Sequence, residues 1–276
     1  MKNNIKLSFI TATYNDEKFF DGWIKDLVKQ TIFHECEIIF VDCNSKENES
    51  KMIQPWIEKY PNNIRLFSLS HDKGLYNAWN AALQNCNGKY ITNASMDDRR
   101  SSEFAEKLTK FLDENEDIDV VYTENYTTSG PNETFENNSS NGNVYNAAEF
   151  SFQSILTSNP PHVMPMWRAS IHDKVGGFLE SYPSCSDYEF WLRCAFMGIK
   201  FKKYDERLGL YYHNPKGLST NPENDSWKLL DENYVRNSYT EFFLTNMHRG
   251  YITNEYFFNW WESRDWRTHK KDFPRE

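Results

Sequence analysis

The chain has 276 residues, 39% hydrophobic and 26% charged, a composition that excludes a disordered chain and leaves room for one large domain or two modest ones. With 31 basic against 40 acidic residues the net charge is −9, which disfavours nucleic acid as a partner. No apolar run is long enough to span a bilayer, the first residues lack a signal-peptide core, and the five cysteines (Cys36, Cys43, Cys86, Cys185, Cys194) form no CxxC pair, so a reduced, cytoplasmic protein is expected.

Ile5–Ala12 is a continuous apolar run with the pattern of a strand buried on both faces. Thr13-Tyr14-Asn15-Asp16 breaks it, and Lys18–Gln30 then sets Phe19, Trp23, Ile24, Leu27 and Val28 on one helical stripe. A second strand is predicted at Glu37–Val41, a Pro-interrupted helix at Glu49–Lys59, a third strand at Ile64–Leu69, a helix at Leu75–Asn85 and a fourth strand at Tyr90–Thr92. Strands and helices alternating at this spacing predict βαβ units and a mostly parallel sheet, with ligands at the loops that follow the strands. The GxGxxG phosphate fingerprint is absent, which disfavours a dehydrogenase-type dinucleotide fold.

Further on, Asp119–Tyr126 reads as a fifth strand and Thr127–Tyr145 as a long loop or hairpin. The prolines of Pro160–Pro165 predict extended chain. A short helix Ser170–Val175 ends at Gly176-Gly177, and Ser186–Gly198 is an amphipathic helix whose first turn displays Asp187 and Glu189. Strands follow at Ile199–Tyr204 and Leu208–Tyr212. Beyond Pro222 two helices are predicted, Trp227–Tyr239 and Thr240–Met247, then the aromatic-crowded Tyr251–Trp266 and a charged tail, Arg267–Glu276, expected to fray.

The stretch richest in chemistry is Lys89–Arg100, KYITNASMDDRR. The adjacent carboxylates Asp97 and Asp98 follow a strand at the edge where open α/β sheets bind ligands, and they suit a hard cation, Mg²⁺ or Mn²⁺, that would hold a diphosphate. A solvated, helix-capping acid pair, with Ser101, Ser102 and Glu103 capping the predicted helix Glu103–Leu112, is the plainer reading.

Several segments together resemble a nucleotide-sugar glycosyltransferase of family two with the GT-A fold: SFITATYND, IIFVDCNSKE, DKGLYNAWNAAL, YITNASMDDR, GGFLESYPSCSDYEFWLR and LGLYYHNPKGLST, in that order over about Ile5 to Thr220. The resemblance implies a GT-A domain over 1–220, with 1–98 the nucleotide-sugar half and 99–220 the acceptor half, and a helical, aromatic-rich extension over 221–276. It implies inverting transfer from a nucleoside diphosphate sugar, usually UDP-linked, to a glycan hydroxyl. Asp187 matches the catalytic base, with Glu189 in reserve. Asp97 would contact the nucleotide sugar and Asp98 the metal, with Thr11, Tyr14, Asp42, Lys73 and Gly74 around the donor and His213 a further metal or phosphate contact. Trp167 and Trp191 could stack on a sugar, although core packing is the commoner role.

The sequence departs from the family pattern at three places. Cys43 stands where a second acid is common after the residue matching Asp42, Ser95 stands two before Asp97, and Ser186 precedes Asp187. A catalytically silent relative that binds a nucleotide sugar or glycan is the alternative, and a nucleotidyltransferase would be expected to carry a glycine-rich loop that TATYND is not. The aromatic C-terminal segment leaves open a homodimer interface or a peripheral membrane contact.

Overall fold

A computed structural model describes residues 5–46, 48–247, 253–264 and 266. The first half runs β1 (Leu7–Thr13), α1 (Glu17–Val28), β2 (Cys36–Asp42), α2 (Glu49–Met52), α3 (Gln54–Lys59), β3 (Ile64–Ser68), α4 (Leu75–Leu83), β4 (Tyr90–Asn93), β5 (Arg99–Arg100) and α5 (Phe104–Glu114). The second runs β6 (Val120–Thr123), β7 (Asn125–Thr128), β8 (Val144–Tyr145), α6 (Phe152–Thr157), β9 (Met166–Arg168), α7 (Ile171–Val175), α8 (Ser186–Phe196), β10 (Phe201–Tyr204), β11 (Gly209–Tyr212), α9 (Asp225–Asn246) and α10 (Asn254–Ser263).

Seven strands form the main sheet in the order β10-β6-β9-β4-β1-β2-β3. β3, β2, β1 and β4 are mutually parallel, as are β6 and β10, and β9 alone runs against its neighbours. The mostly parallel α/β sheet predicted from the alternating pattern is therefore observed. Alternation along each strand divides the core: Ile39 and Val41 of β2 face the side covered by α4 and α8, while Ile38 and Phe40 face α1 and α5. Thr13 pairs with Asp42 at the ends of β1 and β2, whereas Asn93, the last residue of β4, pairs with Ile10. β4 thus stops short of its neighbour and opens a notch at the carboxyl edge. A second sheet, β5-β11-β7-β8, stands beside that notch.

Several expectations are corrected. Asp119–Tyr126 is two strands, β6 and β7, which belong to different sheets and turn at Glu124. Of the two readings of Thr127–Tyr145 the hairpin holds, since β7 pairs antiparallel with β8. Pro160–Pro165 is not extended throughout, because Met164 has φ 52°. Glu103 caps α5 without a side-chain bond. The predicted helices Trp227–Tyr239 and Thr240–Met247 are one, α9, whose buried Val235, Tyr239, Phe242 and Asn246 form a single stripe at helical spacing. Val235, Tyr239 and Phe242 join Phe257 and Trp266 in the core on the α8 side, so the aromatic C-terminal segment packs on α6 and α8. The tail Arg267–Glu276 lies outside the described residues. No helix among the described residues is long and apolar enough to cross a membrane.

Candidate active site

Four loops at the carboxyl edge of the main sheet enclose a cavity of about 470 Å³, a size that suits a small-molecule ligand. Tyr14 and Asp16 come from the loop after β1, Cys43 from the loop after β2, Asp72 and Gly74 from the approach to α4, and Asp97 and Asp98 from the turn after β4. Tyr212, Asn214 and Lys216 close it from the segment after β11. Gly74 caps α4 with φ 95°, a conformation that side chains other than glycine's rarely adopt, and its N–H donates to Asp72 Oδ1 at 2.7 Å.

The acid pair is held from both sides. Thr11 Oγ1 and Trp23 Nε1 both donate to the Ala94 carbonyl, at 2.9 and 3.2 Å, fixing the start of the turn to β1 and α1. β5, which ends the turn, pairs antiparallel with β11. The Arg100 N–H donates to Asp26 Oδ2 at 2.6 Å, and its fully buried guanidinium donates to the Asn93 carbonyl at 2.5 Å. Gly22 of α1 leaves room for Arg99, into whose guanidinium a Cβ would run. Asp98 Oδ1 then accepts from the Tyr212 N–H at 3.2 Å, and Asp97 Oδ2 from the Asn214 side-chain amide at 3.0 Å.

Burial pushes the Asp98 carboxyl up to about 8, the neighbouring Asp97 adds to the rise, and Arg100 opposes it. Asp97 is raised too, chiefly by burial, against the Asn214 hydrogen bond. Two adjacent acids pushed up in this way form a pair that a bound cation would relieve.

Asp187 lies in the first turn of α8 and lines an inner lobe of about 110 Å³ that shares Asp98, Ser95 and Tyr211 with the larger cavity. The Tyr76 hydroxyl donates to Asp187 Oδ1 at 2.8 Å and the Asn159 amide to Oδ2 at 3.0 Å. Burial and the Asp187 charge hold the Tyr76 phenol well above its ordinary range, so it stays a neutral donor.

Of the residues expected around the site, Tyr14, Gly74, Asp97 and Asp98 line the large cavity, and Asp187 lines the lobe. Thr11 is fully buried and braces the acid turn from behind. Asp42 accepts from the Ser45 N–H at 2.8 Å and from the Ser50 hydroxyl, and so shapes the β2–α2 turn without lining the cavity. Lys73 is exposed and outside the lining. His213 is exposed as well, because its N–H pairs with the Thr128 carbonyl while the flanking Tyr212 and Asn214 line the cavity. Glu189 is no reserve base. It is fully buried, paired with Arg193 at 2.8 Å, and accepts from the Tyr239 hydroxyl at 2.6 Å and Trp261 Nε1 at 2.8 Å. Trp167 and Trp191 pack on each other in the core, with ring centroids 5.4 Å apart.

Tyr76, Asn159 and Asn214 are not evident from the sequence, since nothing local marks which polar residue of a segment faces the cavity. Cys43 lines the cavity as a neutral thiol, pushed up to about 12 mainly by burial.

Residues 8–176 match the family model described as Glycosyl transferase family 2. The minor teichoic acid biosynthesis protein GgaB of Bacillus subtilis is 31% identical over 43% of this chain, and the chondroitin synthase of Pasteurella multocida 26% over 90%. The chain spans 13% and 26% of those two relatives' lengths. Among solved structures, residues 1–349 of S. aureus TarS in complex with UDP superpose with a TM-score of 0.63 at 21% identity, covering 84% of this chain and 65% of that one, which is likeness of fold.

Proposed function

Because the chain belongs to glycosyl transferase family 2, we propose that it is an inverting glycosyltransferase that moves a sugar from a nucleoside diphosphate sugar, UDP-linked, to a hydroxyl of a glycan or glycoconjugate. The observation that carries this reading is the meeting of Asp98 and Asp187 in one lobe, at the inner end of a cavity sized for a nucleotide. The UDP bound by TarS and the polymer-building names of GgaB and chondroitin synthase support the donor and acceptor classes.

The cavity lining carries Asp16, Asp72, Asp97 and Asp98 against Lys216, so a diphosphate would enter a negative site. A divalent cation, Mg²⁺ or Mn²⁺, fits that imbalance and the raised Asp97-Asp98 pair. Asp97 and Asp98 would hold it with the substrate's phosphate oxygens. Among the described residues no group of three or more His, Cys, Asp and Glu is placed to hold a metal. When bound, the cation offsets the charge that gathers on the leaving diphosphate. Asp187, kept in place by Tyr76 and Asn159, accepts the proton of the attacking hydroxyl as the new glycosidic bond forms and the bond from the anomeric carbon to the diphosphate breaks. Tyr212 and Asn214 tie the closing segment to the acid pair.

Thermal unfolding with UDP, with and without Mn²⁺, tests the donor site, since a ligand of the folded state raises Tm by mass action. The expected result is a UDP shift that needs Mn²⁺ and shrinks in Asp98→Asn. No shift with any nucleotide would leave a silent relative as the better account.

A further inference from the structure

Asn93, His162 and Ser184 line the inner lobe, and each carries a buried polar atom with no hydrogen-bond partner: Asn93 Oδ1, His162 Nδ1 and Ser184 Oγ. Asn93 is only 8% exposed and ends β4, directly at the notch where the sheet stops short. Buried polar atoms are nearly always paired, so three on one small lobe mark a place where a ligand supplies the partners. Val163 and Met164, both buried, give the same lobe an apolar wall. Hydrogen-bonding atoms beside an apolar wall suit a pyranose ring, with its rim of hydroxyls and its C–H face.

The charges of the lobe narrow that ligand further. Asp98 and Asp187 line it, and among the described residues no lysine or arginine does. Arg100, wholly buried behind Asn93, gives one N–H to the Asn93 carbonyl, and its charge is already set against those of Asp98 and Asp26. A divalent cation held by Asp97 and Asp98 would be outweighed by their charges and the diphosphate's, leaving nothing to pair with a further anion. A sugar carboxylate would be desolvated beside Asp187 with no lysine or arginine in the lobe to pair with it.

We infer that the lobe selects an uncharged donor sugar, a neutral hexose or N-acetylhexosamine, against a hexuronate, and that Asn93 and Ser184 are specificity-determining residues that read its polar groups. This rests on the donor-site reading above. The measurement is equilibrium binding by calorimetry of the full chain with Mn²⁺, at pH 8, to UDP, UDP-glucose, UDP-N-acetylglucosamine and UDP-glucuronate. At least one neutral donor binds more tightly than UDP, and UDP-glucuronate binds about a hundredfold more weakly than that donor. Asn93→Ala weakens the preferred donor about tenfold and leaves UDP unchanged, and Ser184→Ala, in the loop before α8, does the same to a smaller degree. UDP binding with UDP-glucuronate as tight as the neutral donors would overturn the inference and leave the donor site standing. Absence of UDP binding would overturn the donor site and the lobe's assignment with it.

Discussion

The Tyr76 hydroxyl reaches Asp187 Oδ1 across 2.8 Å, joining the first turn of α4 to the first turn of α8. The two helices flank the inner lobe, and this contact sets the carboxylate's direction into it. Tyr76→Phe keeps the buried ring and removes only the donor. Turnover should fall about tenfold with the donor KM little changed, as for a lost orienting hydrogen bond. An equal rise in KM would instead assign Tyr76 to donor binding.

Asp98 makes the apo protein's stability depend on pH. Its folded-state value of about 8 lies above the unfolded carboxyl near 3.9, so the folded chain holds the proton more tightly. Stability from this group is greatest below about pH 4, falls as pH rises toward 8 and is level above. Asp98→Asn removes the slope while its amide oxygen can still accept from Tyr212. In metal-free buffer the variant should gain Tm over the wild type, by a few degrees at pH 8 and by less at pH 5. Equal gains at both pH values would refute the placement of the Asp98 carboxyl in a desolvated site.

Glu189 anchors the C-terminal helices through Arg193, Tyr239 and Trp261. Glu189→Ala would strand a buried guanidinium and two donors, costing about 3–5 kcal/mol of stability. Denaturant unfolding checks the cost. Turnover per folded molecule should stay within about threefold of wild type, where removal of a general base would cost orders of magnitude.

Two positions favoured by family pattern alone should be silent. His213 and Lys73 are exposed and outside the cavity lining. His213→Ala and Lys73→Ala should keep donor affinity and turnover within about twofold. Gly74→Ala differs: a Cβ there meets nothing within 4 Å, but φ 95° is strained for alanine by about 1–3 kcal/mol. A raised donor KM beside a lowered Tm is the expected signature.

The buried strands were the most legible part of the chain, because a run such as Ile5–Ala12 needs no knowledge of its neighbours to be recognised. The observed β1, Leu7–Thr13, is offset by one or two residues. β5, β8 and β9 escaped because two or three residues carry no period, and they are strands by virtue of partners far along the chain. The acids Asp97, Asp98 and Asp187 were legible as chemistry. Their holders were not: Asn214 and Asn159 are two asparagines in a chain rich in them, and only the fold brings each to its carboxylate. Glu189 misled because its place in a helix's first turn looks the same in sequence whether it faces a cavity or a buried arginine.

The most direct test of the account is Asp187→Asn, with binding and turnover measured on the same preparation. UDP affinity should persist, since the nucleotide cavity is lined by other residues, while transfer to acceptor should fall by about a thousandfold or more. Retained transfer in that variant would contradict Asp187 as the base and with it the proposed mechanism.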